Sequence, residues 1–150
     1  MSMKDWFDKR LFAVLAVIYL VVLFGVITSF SIIGVIGESM EPGLEQGDQV
    51  LVYEHADVEQ GEVVYFSTEG KDVIHRAEFY VEEGDNWVAE LDEELTNGKD
   101  CDETHGCPAP NDGWITVGGN NGYADQIHNH HTLSYPVTEE EIEGVVIFVF

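Results

Sequence analysis

The chain has 150 residues, enough for one domain of ordinary size. Six Lys and Arg face 29 Asp and Glu, a formal charge of −23, which excludes a nucleic-acid partner held by phosphate contacts. A hydrophobic fraction of 45% with 11% aromatic excludes a disordered acidic tail, and the two figures together imply that the chain is divided.

Residues 1–10 carry Lys4, Lys9 and Arg10 among Asp5 and Asp8. Leu11 to Ile36 holds no charged residue, and as far as Ile27 it is almost wholly aliphatic or aromatic. A helix of ~20 apolar residues crosses the ~30 Å hydrocarbon core of a bilayer. A cleavable leader has an apolar core of only ~7–15 residues, so 11–36 reads as a retained transmembrane signal anchor with a short exit segment. Basic residues concentrate before the span, which puts the amino terminus in the cytoplasm and 37–150 outside, at the cell membrane. That outer part has three basic against 27 acidic residues, a net −24. Acidic side chains scattered over most of a domain suit a salty medium, where ~1 M salt shortens the Debye length to about 3 Å.

Beyond the span, short runs rich in β-branched and aromatic residues predict strands at Gln49–Tyr53, Glu62–Phe66, Val73–His75, Phe79–Val81, Trp87–Leu91 and Trp114–Val117. Gly43, Gly47, Gly61, Gly70, Gly84 and Gly113 punctuate them. Glu139–Glu143 has the composition of one helical turn. Val145–Phe150 reads as a last strand at a sheet edge, or as an apolar end that docks on the bilayer. The fold class is therefore mostly β: one transmembrane helix followed by an extracellular β-rich domain, a folded sheet or a partly closed barrel.

Two segments invite a metal reading. The acidic stretch 92–112 reads as a long surface loop with both cysteines. Cys101 and Cys107 on the oxidising side of a membrane favour a local disulfide, and the alternative is a site made with His105. His128, His130 and His131 have ligand chemistry, but such side chains on a loop are more often simply exposed. No metal and no cofactor is expected.

The stretch Gly37-Glu38-Ser39-Met40-Glu41-Pro42 places a serine directly after the span. A serine hydroxyl becomes a nucleophile only with a base in reach and a group orienting that base. Ser39-Met40-Glu41-Pro42 with Gly47-Asp48-Gln49-Val50-Leu51-Val52 resembles the nucleophile region of type I signal peptidases. Gly61-Glu62-Val63-Val64-Tyr65-Phe66 followed by Val73-Ile74-His75-Arg76 resembles their archaeal and endoplasmic-reticulum branch, in which histidine stands where bacterial enzymes use lysine. Gly118-Gly119-Asn120-Asn121 with Asp125 is similar to a third block of that family. The blocks lie in family order between Gly37 and about Gln126, and the acidic charge makes the resemblance haloarchaeal-like.

The resemblance implies Ser39 as nucleophile, His75 as general base and Asp125 as the residue that orients it, with Asp112 a competitor nearby. It also implies cleavage of signal peptides from exported preproteins after small residues, with the lipid bilayer and the secretion machinery as neighbours. Two positions depart from the family pattern: Gly119 stands where an aspartate is usual, and Gly37 where a hydroxyl that helps hold the oxyanion is frequent. These departures keep open a catalytically degenerate anchored domain that binds a partner protein or cations. Self-processing repressor proteases carry a similar serine motif, but they use lysine as base and lack an anchor.

Overall fold

The computed structural model describes residues 3–127 and 133–150, with side chains from Arg10 onward; His128, His130 and His131 lie outside the described residues. The first element, α1 (Met3–Ile27), has 25 residues, about 37 Å at 1.5 Å per residue. Its stretch Arg10–Ile27 has a mean hydropathy of 2.7 and buries none of its length against the rest of the chain. The helix is therefore long and apolar enough to cross a membrane. It stops at Thr28 and Ser29, whose Oγ1 and Oγ both donate to the Gly25 carbonyl, at 3.1 and 2.8 Å.

The uncharged run continues to Ile36, but the helix does not. Phe30–Gly34 is a strand, β1, paired antiparallel with β2 (Gln49–Tyr53), Phe30 opposite Tyr53 and Gly34 opposite Gln49. The pairing satisfies the backbone without a helix, and the Phe30 and Tyr53 rings stack at 5.1 Å.

Four further strands, β3 (Val63–Thr68), β4 (Lys71–Val81), β5 (Gly113–Val117) and β6 (Ile142–Val149), complete an antiparallel sheet in the order β1-β2-β6-β3-β4-β5. The expected last strand is present, but it is no edge: β6 inserts between β2 and β3. Gly144 permits this, since a Cβ there would lie 2.5 Å from the Tyr53 carbonyl oxygen. The two expected strands at 73–75 and 79–81 are one, with a register shift between Ala77 and Phe79. Residues 139–141 form a turn rather than a helix, and Glu141 caps it through Thr138 N–H at 2.9 Å.

Trp87–Leu91 is not a strand. Trp87–Glu90 is a 3₁₀ turn capped by Asn86, its indole fully buried and donating to the Gly106 carbonyl at 2.8 Å. Nor does 92–112 hang in solvent as a bare loop. Leu91, Leu95 and the disulfide between Cys101 and Cys107 pack with Trp87, Ile115 and Ile127 in a core of their own. With both sulfurs bonded to each other, the alternative metal arrangement with His105 is overturned. The other two clusters lie around Val64, Phe66 and Val145 at mid-sheet and around Met40, Leu44, Val50 and Val52 beneath the serine loop.

Candidate active site

Ser39 rides on a tight turn just past β1. Glu41 N–H donates to the Glu38 carbonyl at 3.2 Å, and Gly43 and Leu44 N–H both donate to that of Met40, at 2.9 and 3.0 Å. Met40 and Leu44, each 4% exposed, root the turn in the core beneath β2. Between these anchors Ser39 stays half-buried, with its hydroxyl turned toward β4.

His75 sits in β4 opposite Val64 and shares its strand face with Val73 and Ala77. The ring is buried, and both nitrogens have partners. The Ser39 hydroxyl lies 2.8 Å from Nε2, and Asp125 Oδ2 lies 2.5 Å from Nδ1. A carboxylate only accepts, so Nδ1 carries the proton and donates to Asp125. Nε2 is then left with a lone pair facing the serine hydroxyl, the arrangement in which imidazole can take its proton. The three sequence-predicted residues, 36 and 50 positions apart, thus form one hydrogen-bonded line.

Asp125 opens a 3₁₀ turn, Asp125–Ile127, and is 2% exposed. The disulfide-bearing segment clamps that turn from both ends: Ala124 N–H donates to the Leu95 carbonyl at 3.0 Å, and Lys99 Nζ to that of Ile127 at 2.9 Å. Asp112, the competitor in sequence, is exposed and accepts the Glu83 N–H at 2.7 Å instead.

The Gly118–Asn121 segment ties the halves of the site together. Asn120 N–H donates to the Ser39 carbonyl at 2.7 Å, its Nδ2 to that of Glu38 at 3.1 Å, and Asn121 Nδ2 to Asp125 Oδ1 at 3.4 Å. One asparagine holds the serine turn and the next holds the carboxylate. Sequence matching singled out these residues without giving them roles.

The two departures also acquire a geometry. A Cβ on Gly119 would sit 3.3 Å from the Met40 carbonyl oxygen and 3.5 Å from that of Glu41. An aspartate there would start out close against two acceptors of the serine turn, and the line Ser39–His75–Asp125 is hydrogen-bonded with glycine in its place. A Cβ on Gly37 would stand 4.0 Å from both Ser39 N and Oγ, which leaves room for a hydroxyl.

The line borders a cleft of about 470 Å³, walled by residues 33–37 and by Tyr65, Asp72, Ile74 and Tyr123. The Tyr65 phenol is held above its ordinary value by burial and by the nearby Glu143 and Asp72 carboxylates, so it stays protonated at neutral pH. Among the described residues no group of three or more His, Cys, Asp or Glu could hold a metal ion.

A search of curated proteins found no match. The family model described as Peptidase S24-like matches residues 28–88, a span that holds β1 to β4 with Ser39 and His75 and stops before Asp125. The match supports a serine-peptidase type of hydrolase.

Proposed function

We propose that the chain is a membrane-anchored serine endopeptidase that removes signal peptides from exported preproteins. The observation that carries this reading is the line from the Ser39 hydroxyl through His75 to Asp125 beside an open cleft. In the proposed mechanism His75 Nε2 takes the Ser39 proton as Oγ attacks the peptide carbonyl. Asp125 stabilises the imidazolium that forms, and His75 then protonates the leaving amine. Ser39 N–H is one donor for the oxyanion. Water next attacks the acyl-enzyme, again through His75, and frees Ser39.

The anchor accounts for the choice of substrate. Ser39 lies 12 residues past the end of α1, so the cleft stays near the membrane face where a signal peptide's scissile bond emerges. Exposed apolar side chains extend that face. Ile32, Leu51 and Phe148 lie in line across β1, β2 and β6, with Ile32 62% and Phe148 57% exposed. Lys4, Lys9 and Arg10 would hold the amino terminus in the cytoplasm, with the catalytic domain outside.

The test is incubation of the full chain in detergent micelles with a preprotein, followed by mass determination of both products. One cut at the boundary between leader and mature protein is expected. An intact preprotein would overturn the reading. The likeness of Ser39-Met40-Glu41-Pro42 to the serine motif of self-processing repressor proteases favours a second reading, cleavage of the chain by itself. Truncation of the purified protein, at a rate independent of its concentration, would identify it.

A further inference from the structure

Asp125 Oδ2 accepts a second hydrogen bond besides that of His75. Thr116 Oγ1 stands 2.7 Å from it. Thr116 lies in β5, the last strand of the sheet order, and is fully buried. Its backbone N–H finds Gln126 Oε1 at 3.2 Å, so this amide side chain takes the place of a further strand. Gln126 Nε2 then lies 3.3 Å from Thr116 Oγ1 and 3.5 Å from the Tyr135 carbonyl.

Every link in this array has only one chemical direction. A backbone N–H can only donate, so the amide atom facing it is the oxygen. The NH₂ group therefore faces Thr116 Oγ1 and the Tyr135 carbonyl and donates to both. Thr116 Oγ1, already an acceptor, gives its own hydrogen to the carboxylate, which can only accept. Gln126 is 3% exposed and Asp125 2%, so water does not compete for these bonds, and such chains strengthen in a low dielectric.

We propose that Thr116 and Gln126 are positioning residues for the hydrolysis, an inference that rests on the serine-peptidase reading above. Gln126 locks the Thr116 hydroxyl as a donor, and Thr116 holds the Asp125 carboxylate with Oδ2 aimed at His75 Nδ1. Without that donor the carboxylate keeps only the longer 3.4 Å bond from Asn121 to Oδ1 besides His75 itself, and Oδ2 is aimed less firmly at Nδ1.

Four variants of the full chain, assayed on a preprotein in detergent, test this. Thr116→Val should lower kcat ten- to a hundredfold with KM within twofold, and Thr116→Ser should restore kcat to within about twofold. Gln126→Glu leaves Thr116 in place, but in its ionised form, reached by assaying toward alkaline pH, the carboxylate cannot donate to Oγ1 and competes for the hydroxyl hydrogen. It should therefore lose as much kcat as Thr116→Val. A merely structural role would lower the melting temperature and leave kcat per folded molecule unchanged. Wild-type kcat in both Thr116→Val and Gln126→Glu, with Ser39→Ala inactive, would overturn the proposal. Should Thr116→Val fail to fold, Gln126→Glu decides by the same criteria. Wild-type turnover in Ser39→Ala would instead remove the peptidase reading, and this inference with it.

Discussion

Gly118 is where a single methyl group should cost activity as well as stability. A Cβ there would lie 2.5 Å from Asn121 Nδ2 and 2.8 Å from the Ser39 carbonyl oxygen, whereas ordinary contact begins near 3.4 Å. Gly118→Ala must therefore displace the Asn121 amide and the serine turn by roughly 0.6–0.9 Å. Those groups are the ones that Asn120 and Asn121 tie to Ser39 and Asp125. Overpacking of this kind costs about 1–3 kcal/mol in stability, and a displacement near 1 Å at reacting groups can cost about 10²-fold in rate. The assay is preprotein cleavage in detergent beside thermal unfolding, with Gly122→Ala as control. Gly122 has nothing within 4 Å of its added Cβ. The expected result is a kcat/KM about a hundredfold down for Gly118→Ala and near wild type for Gly122→Ala, with both chains folded. Equal activity in the two would refute the view that the 118–121 segment sets the geometry of the line.

Gly37→Ser adds a hydroxyl where a Cβ has 4.0 Å of clearance to both Ser39 N and Oγ, so kcat should rise about tenfold if it donates to the oxyanion; a fall in kcat would count against that placement. Glu141 concerns stability. Burial works to raise its carboxyl, but the hydrogen bonds from Thr68 and from the backbone and side chain of Thr138 outweigh this and hold it below its ordinary 4.5. A depressed folded value contributes stability above the unfolded pKa, lost as pH falls through the folded one. Glu141→Gln should therefore unfold more easily than wild type at pH 7, with the gap closing below about pH 4 in denaturant titrations. Residues 37–150 carry a net −24, a self-repulsion that salt screens, since the Debye length falls from about 10 Å at 0.1 M salt to about 3 Å at 1 M. Circular dichroism should show structure lost in dilute buffer and regained in multimolar salt, and an unchanged spectrum would contradict high-salt adaptation.

Strands were legible where apolar residues alternate between one dry face and one wet face, as at Gln49–Tyr53, and where a short β-branched and aromatic run is buried throughout, as at Gly113–Val117. Phe30–Gly34 was hidden because its apolar residues continue those of α1, and hydropathy does not mark a change of backbone at Thr28. Trp87–Leu91 has strand composition but is bent by distant contacts: its indole reaches the Gly106 carbonyl, 19 residues on. Acidity concealed the core under 92–112, because Leu95 and the bridged cysteines are few among many charges. At the site, residue types and order picked out Ser39, His75 and Asp125, but only the fold separates Asp125 from Asp112. Thr116 and Gln126 gave no signal, since a threonine in a strand and a lone glutamine are common, and only the fold brings Thr116 Oγ1 within 2.7 Å of Asp125 and Gln126 Oε1 within 3.2 Å of the Thr116 N–H.

The central claim is that the Ser39 hydroxyl, activated by His75, breaks the peptide bond. The most direct measurement is the initial rate of preprotein cleavage by equal amounts of wild type, Ser39→Ala and His75→Ala, each verified as folded. The account predicts a loss of about 10⁴-fold or more in each variant, because either change removes a member of a unit that acts together. A Ser39→Ala chain that cleaves at the wild-type rate would contradict it.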